Sequence, residues 1–327
     1  MPTIPPKLKK GDTIRVVAPS RSLSIVMPGN REIALRRFEA LGLTVTFSAH
    51  AEEMDDFRSS SIASRVADLH AAFADPSVAA VITVIGGFNC NQLLPYLDWD
   101  LIRANPKIFI GYSDTTALQN AMLVKADLVT YSGPAYSTFA QELHFEYTLE
   151  YFVKCLFEKE PFTVSVAPAW TDDAWWSDQK DRHPIPNEGR WTLAAGEAEG
   201  TIIGGNIGTF ELLQGTPYFP HVEDAILFLE DDEESRFVGF DRLFESLLQV
   251  LPPSSIRGIV FGRFQKVSAV TRKMMETLIA TRPQLANIPI IANADFGHTS
   301  PLFTFPIGGR ARIQAVPGKE TIELLEY

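Results

Sequence analysis

Ser113 is the residue of this chain whose neighbours best suit a nucleophile. It follows an apolar run and Gly111, and Asp114 and two threonines open an apolar-periodic helix directly after it. A tight strand-to-helix turn lifts a hydroxyl out of a sheet, and the helix N-terminus directs N–H groups and a positive dipole toward it. The pattern is not Gly-x-Ser-x-Gly, so an ordinary turn in which Ser113 or Asp114 caps the helix is an open alternative.

His298 is the candidate base, because a serine hydroxyl is a weak nucleophile at neutral pH until a neighbouring base takes its proton. The chain has 6 histidines, and none pairs with another at the i, i+3 or i, i+4 spacing of a helical metal site. His298 lies in the turn-rich segment 295–301 after a predicted strand. That setting suits an exposed imidazole, and it also fits a capping or surface histidine.

Glu230 is the candidate for orienting the base, since a carboxylate fixes the tautomer of an imidazole and stabilises its charged form. It ends a fully apolar predicted strand, where a carboxylate must be paired or solvated in a cleft. The acids at 231–234 resemble a solvated turn. The resulting order is Ser–Glu–His, with nucleophile and base in different domains and the substrate in a cleft between them.

The backbone N–H groups of Gly87 and Asp114 are the candidates for an oxyanion hole. Such a hole needs two donors about 3 Å from the developing charge, and a glycine backbone can approach a ligand closely. Gly86-Gly87 also fits a simple turn or a phosphate-cradling loop.

Short apolar strands and amphipathic helices alternate through the first half of the chain. We predict strands at 13–18, 44–47, 79–85 and 108–110, and helices at 31–41, 61–74 and 115–124. This alternation indicates a parallel sheet covered on both faces, with ligands at the carboxyl ends of its strands. Pro19-Ser20, Gly86-Gly87 and Tyr112-Ser113 all follow strands, so these loops are expected to converge on one crevice.

The character of the chain changes at 161–200, where every tryptophan except Trp99 lies in a polar stretch without a sustained period. Such a stretch is typical of a lid, a binding loop or a linker. Its aromatic rings fit either a wall over a substrate or packing between domains. Beyond it we predict a helix at 237–251 and strands at 201–206, 225–229, 256–261, 289–292, 311–315 and 321–325.

We therefore predict three regions. Residues 1–165 form an α/β nucleophile domain, residues 166–199 form a tryptophan-rich linker or lid loop, and residues 200–327 form a C-terminal α/β domain that carries the glutamate and histidine. A length of 327 residues fits two domains.

The composition excludes several classes of protein. A net charge of -11 argues against nucleic acid or an anionic membrane as a partner. No apolar run reaches the length of about 18 residues that a transmembrane helix needs, and the basic start lacks the apolar core of a secretory signal. The 2 cysteines exclude a disulfide framework and a cysteine zinc site, so a reduced, cytoplasmic protein is expected. We expect no cofactor.

Five motifs occur in the order of a known family: 86–98 (GGFNCNQLLPYLD), 111–114 (GYSD), 203–206 (IGGN), 227–231 (LFLED) and 296–298 (FGH). Together they resemble the serine peptidase family of LD-carboxypeptidases and microcin C immunity peptidases, over essentially the whole chain. The resemblance implies a Ser113–Glu230–His298 triad, an oxyanion hole at Gly87 and Asp114, no metal, a cytoplasmic location and a homodimer. It also implies a flavodoxin-like N-terminal domain and a β-rich, swivelling C-terminal domain.

The family has two branches with different substrates. One removes the terminal D-alanine of a muropeptide tetrapeptide, and the other cleaves an aminoacyl group from a nucleotide-like moiety. The segment around Asn89 and the loop carrying Trp175 and Trp176 resemble the immunity branch, whose aromatic loop stacks on a nucleobase. That branch often has a lysine four residues after the triad glutamate, near a phosphate-like group. Here that position is Glu234, whose carboxylate would repel an anionic linker.

Two readings from other classes remain. A non-catalytic small-molecule binding protein also has two α/β domains around a cleft, and it would form no covalent serine adduct. An amidotransferase-like enzyme would use Cys90, but Cys90 lacks an elbow pattern of glycines and also fits a small residue at a helix start.

Overall fold

The computed structural model describes residues 2–234 and 236–327. Its strands are β1 Thr13–Val17, β2 Thr44–Phe47, β3 Val78–Thr83, β4 Ile108–Gly111, β5 Thr130–Ser132, β6 Phe162–Thr163, β7 Ala169–Trp170, β8 Ile185–Pro186, β9 Trp191–Ala194, β10 Gly196–Asn206, β11 Ala225–Glu230, β12 Ile256–Gly262, β13 Ile290–Ala294, β14 Phe305–Ile307, β15 Arg310–Ala315 and β16 Thr321–Glu326. Its α-helices are α1 Pro28–Ala40, α2 Ile62–Ala74, α3 Trp99–Ala104, α4 Thr116–Ala126, α5 Glu146–Phe157, α6 Ile207–Glu211, α7 Arg236–Val250 and α8 Arg272–Ala280.

The first sheet has the strand order β14-β5-β4-β3-β1-β2. The pairs β1–β2, β1–β3, β3–β4 and β4–β5 are parallel, and β14 joins β5 in the antiparallel direction. The central strands are almost entirely buried because helices cover both faces of a parallel sheet. The loops after β1, β3 and β4 therefore end at one edge of this sheet, as predicted for a ligand crevice.

The second sheet has the order β6-β16-β15-β10-β11-β12-β13-β9. Its centre, β10 to β13, is parallel, and antiparallel strands extend it on both sides. The fold class predicted from the sequence is confirmed: a parallel-sheet N-terminal domain is followed by a β-rich C-terminal domain.

Two segments differ from the sequence prediction. The stretch at 161–200, predicted to lack regular structure, contains the short β7–β8 pair and β9, which joins the edge of the second sheet. These strands are two to four residues long; β7 and β9 are half-buried and β8 is exposed, so they leave almost no periodic signal. Strand β14 lies within the predicted C-terminal region but pairs with the first sheet.

Hydrogen bonds from α4 join the two sheets close to the nucleophile. The side chain of Asn120 donates to the carbonyl of Gly204 at 2.8 Å, and the N–H of Asn206 donates to Oγ1 of Thr116 at 3.0 Å. Asn206 is the register partner of Glu230 in the β10–β11 pair. The start of α4, directly after Ser113, is thereby fixed to the strand beside the predicted glutamate.

No helix in the described part of the chain is both long and apolar enough to cross a membrane.

Candidate active site

Ser113 lies on a strained turn between β4 and α4. Its φ of 64° is in the left-handed region, which non-glycine residues seldom adopt and which is typical of functional sites. A 3-10 turn at Ser113–Thr115 leads into α4, whose N-cap residue, Thr115, makes no side-chain cap bond. The alternative in which Ser113 or Asp114 merely caps the helix therefore does not describe this turn.

The structure brings Ser113, His298 and Glu230 together. Nε2 of His298 lies 3.0 Å from Oγ of Ser113, and Nδ1 lies 2.7 Å from Oε2 of Glu230. Both distances fit a nucleophile–base–orienter chain. The side chain of Glu230 is 4% exposed and that of His298 is 18% exposed, so the carboxylate is shielded while the imidazole keeps access to the cleft.

The electrostatic surroundings favour a charged imidazole. Burial lowers the pKa of His298, but the charge of Glu230 and its hydrogen bond raise it, with further contributions from Asp232 and Asp231, to about 9 from 6.5. The imidazolium that would form during proton transfer is therefore strongly stabilised by its neighbours.

Glycines allow the close contacts within this site. An added Cβ at Gly297, whose φ is 107°, would lie 2.9 Å from Oε2 of Glu230. One at Gly86 would lie 2.7 Å from Cβ of Ser113 and 3.5 Å from the backbone nitrogen of Asp114, and one at Gly87 would overlap the hydroxyl of Ser20. Gly86 is thus packed directly against Ser113, and the predicted donors Gly87 and Asp114 are the residues that follow Gly86 and Ser113 in the chain.

The carboxylate of Asp114 holds the loops around Ser113 in place. Its Oδ2 accepts hydrogen bonds from the hydroxyl of Ser20 at 2.6 Å, from the N–H of Asn89 at 2.8 Å and from the N–H of Cys90 at 2.9 Å. Asp114 is 1% exposed, so these donors satisfy a buried charge. The loops after β1 and β3 are thereby tied to the turn that carries the nucleophile.

The predicted substrate-binding residues fall at different places. Asn89 lies in the loop after β3, and its Oδ1 accepts a bond from Ser20 at 3.2 Å. Trp175 packs on the core and meets Trp176 edge to face at 5.9 Å, while Trp176 is 56% exposed. Glu234 is exposed, and its N–H donates to Asp232 at 2.9 Å. Among the described residues, no hydrogen bond, ion pair or ring contact joins either tryptophan or Glu234 to Ser113, His298 or Glu230.

Three residues at the site had no assigned role in the sequence analysis. Ser20 binds Asp114, and the ring of Tyr112 lies 5.4 Å from that of His298. Asn206, in the quoted Ile203–Asn206 motif, is 5% exposed, and its Nδ2 has no hydrogen-bond partner in the described structure. A single sequence signals only their position at the carboxyl ends of strands, since their partners come from distant segments.

Cys90 is unsuited to the nucleophile role of the amidotransferase-like alternative. It is fully buried at the start of the 3-10 segment Cys90–Tyr96, as expected of a small residue at a helix start. Burial, together with the nearby Asp114 carboxylate, raises its pKa well above 9.0. A thiol of this kind stays protonated and unreactive.

Sequence comparisons place this architecture among known proteins. The sequence models of the LD-carboxypeptidase N-terminal and C-terminal domains match residues 14–133 and 199–313. The chain is 50% identical to the Bacillus subtilis protein YocD, over 97% of each chain. It is 29% identical to the Escherichia coli microcin C7 self-immunity protein MccF, over 95% of this chain and 93% of that one. It is 22% identical to the Pseudomonas aeruginosa murein tetrapeptide carboxypeptidase, over 92% of each.

Solved structures agree with the sequence comparisons. An MccF-like protein from Bacillus anthracis str. Ames has a TM-score of 0.98 and 53% identity, covering 99% of this chain and 100% of that one. MccF in complex with aspartyl sulfamoyl adenosine has a TM-score of 0.90 and 28% identity, covering 100% and 99%. MccF has also been solved with glutamyl sulfamoyl guanosine, at a TM-score of 0.89 and 27% identity over 100% and 99%.

Proposed function

The chain belongs to the LD-carboxypeptidase family of serine-type carboxypeptidases, and from this premise we propose that it hydrolyses an amide bond through a Ser113–Glu230–His298 triad. The observation that carries the proposal is the continuous chain of contacts from Oγ of Ser113 through His298 to Glu230, at 3.0 Å and 2.7 Å. The left-handed backbone at Ser113 supports it, because strain at a buried turn is typical of a displayed nucleophile.

The reaction begins with acylation. His298 Nε2 takes the Ser113 proton while Oγ bonds to the carbonyl carbon, and the N–H groups of Gly87 and Asp114 hold the oxyanion. The C–N bond then breaks, and the imidazolium gives its proton to the leaving nitrogen. Glu230 stays ionised throughout and keeps Nδ1 protonated.

Deacylation repeats these steps with water as the nucleophile. His298 takes a proton from water as its oxygen bonds to the ester carbon, and it returns that proton to Oγ of Ser113 as the acid product leaves.

We assign an aminoacyl-nucleotide-type compound as the substrate. The high structural similarity to MccF complexes with aminoacyl sulfamoyl nucleosides supports this assignment. The exposed Trp176 suits stacking on a base, a contact worth roughly 1–3 kcal/mol. The family resemblance further supports a cytoplasmic location and a homodimer. Sedimentation of the purified chain tests whether it is a dimer.

A muropeptide tetrapeptide is the second candidate substrate. The observation that favours it is Glu234, a carboxylate where the immunity branch often has a lysine, because it repels an anionic linker. The murein tetrapeptide carboxypeptidase among the relatives is consistent with this alternative.

Mass spectrometry of the protein with each compound separates these functions. The wild type and its Ser113→Ala variant are incubated with an L,D-tetrapeptide muropeptide and with glutamyl sulfamoyl adenosine. Ser113-dependent release of sulfamoyl adenosine supports the first substrate, and Ser113-dependent loss of D-alanine supports the second. Turnover of either compound by Ser113→Ala at the wild-type rate contradicts the triad. Absence of both turnover and a serine adduct favours a binding protein.

A further inference from the structure

A pocket of about 380 Å³ opens beside the nucleophile, between the loop after β1, the start of α2 and the loop after β3. Gly86 and Gly87 lie between Ser113 and two residues of the pocket wall. Gly86 packs on Ser113, whereas an added Cβ at Gly87 would meet Ser20 and come 3.0 Å from Cγ of Arg21, both of which line the pocket. The glycine turn therefore contacts both Ser113 and the wall of the pocket.

Arg21 is a cation without an acidic partner. It forms no ion pair within residues 2–234 and 236–327, and its guanidinium instead lies over the ring of Phe88, 4.9 Å from the centroid. The ring holds the guanidinium flat and leaves its N–H groups free to bind a planar anion in a bidentate manner.

Arg65 adds a second, buried guanidinium to the same wall. It is 3% exposed, and its acceptors are the carbonyls of Pro19 and Asn89 and the amide oxygen of Gln92, all neutral groups. Its Nε has no partner in the described structure. Burial lowers its pKa, although the charges of Asp55 and Asp114 partly offset this effect. Within the described residues Arg65 forms no direct ion pair, and a buried charge of this kind is costly, so the arrangement is typical of a site that receives an anion.

The remaining wall is consistent with an anionic occupant that carries some carbon. The N-terminus of α2, a 13-residue helix, faces the pocket at Ile62 and adds positive potential. Asp55 also lines the pocket, but its Oδ1 already accepts the N–H groups of Phe57 and Ser59 at 2.9 Å each. Phe57 and Phe88 are 82% and 61% exposed, which leaves apolar surface at the mouth.

We propose that this pocket is a subsite for a carboxylate of the substrate, which Arg21 binds directly while Arg65 and the start of α2 supply fixed positive charge. The proposal rests on the hydrolase function above and adds the chemistry that the site selects. The carboxylate has two possible sources. It is either the free terminus of the leaving group or the acidic side chain of the acyl group, and the pocket boundary at Gly87 allows both.

Binding to Ser113→Ala tests the subsite without requiring turnover. Calorimetry compares the muropeptide tetrapeptide with its C-terminal amide, and glutamyl with glutaminyl sulfamoyl adenosine. In each pair, one ligand carries a carboxylate and the other carries the corresponding amide. Relative to Ser113→Ala, the Ser113→Ala/Arg21→Ala variant is expected to bind the ligand with the recognised carboxylate about 10- to 100-fold more weakly, and to bind its amide less than about 3-fold more weakly. Arg21→Lys, which keeps the charge but not the fork, gives an intermediate loss.

Arg36→Ala is the matched control, because Arg36 is an exposed arginine of α1 outside the pocket. This change is expected to leave all four affinities unchanged. The source of the carboxylate is identified by the pair for which the Arg21→Ala change removes the difference in affinity between the carboxylate and the amide. Equal losses for carboxylate and amide, no loss for any ligand, or binding of none of the four overturns the subsite. The proposed function is tested separately, by turnover of these compounds by the wild type. It fails if the wild type hydrolyses none of them, whether or not Ser113→Ala binds them.

Discussion

Gly86 and Ser113 are packed so closely that a methyl group does not fit between them. An added Cβ at Gly86 would stand 2.7 Å from Cβ and 2.8 Å from Oγ of Ser113. The glycine turn after β3 therefore sets where the nucleophile can lie, although the two residues belong to different strand–helix units.

Gly86→Ala is expected to reduce kcat by about 100-fold, because displacement of a nucleophile by a fraction of an ångström to 1 Å is enough for such a loss. Steady-state kinetics on whichever substrate the wild type hydrolyses measures this. Gly29→Ala is the control, since a Cβ at Gly29 would meet nothing within 4 Å. Wild-type kcat in Gly86→Ala contradicts the close packing.

Ser113→Ala and Ser113→Gly should both be inactive but differ in stability. The φ of 64° strains alanine and not glycine, so the glycine variant is expected to be about 1 kcal/mol more stable than the alanine variant. Differential scanning calorimetry of the two proteins gives the comparison. A glycine variant that melts below the alanine variant would show that the turn is unstrained.

The pH dependence of kcat/KM should reflect the raised pKa of His298. The base accepts a proton only when it is neutral, so activity rises with pH through about 9 and falls about tenfold per unit at lower pH. Glu230→Gln removes the largest cause that raises this pKa, so the midpoint moves toward lower pH while the maximal rate falls roughly 100- to 10,000-fold.

Asp232→Asn is the control for that profile, since Asp232 raises the pKa of His298 without touching it and should shift the midpoint only slightly. A midpoint in the wild type near 6.5 would indicate that Glu230 does not stabilise the imidazolium in solution.

Asp114→Ala should destabilise the protein by about 2–4 kcal/mol, because it leaves three donors from two loops without their shared acceptor. Ser20→Ala removes only one of these donors and is expected to cost about 1 kcal/mol. Denaturant unfolding followed by tryptophan fluorescence compares the two. Equal effects would mean that the backbone donors Asn89 and Cys90 find other partners.

Both cysteines should resist alkylation in the native protein. Cys90 and Cys155 are fully buried, and burial raises the pKa of both thiols, that of Cys155 to about 12. Iodoacetamide at pH 8 is expected to label neither residue and to leave activity intact, whereas urea exposes both to labelling. Rapid labelling of Cys90 with loss of activity would revive the thiol nucleophile.

The elements with continuous apolar patterns could be predicted from the sequence. The shortest strands and the contacts between residues far apart in the chain could not. Strands such as Ile108–Gly111 and Ala225–Glu230 were expected within about one residue, because burial on both faces forces an apolar run. The three triad residues were expected from strand ends and turns. Their bonding geometry, the three donors on Asp114 and the Arg21 pocket depend on tertiary contacts between segments 24 to 185 residues apart, which carry no local signal.

Strand β14 has a consequence for how the chain is made. Residues 305–307 close the β5 edge of the first sheet, yet they are synthesised after six of the eight strands of the second sheet. A nascent chain folds from its amino end, so the β5 edge of the sheet that carries Ser113 stays unpaired on the ribosome until residues 305–307 emerge. Pairing within the first sheet is therefore expected to be completed only after most strands of the second sheet have been synthesised.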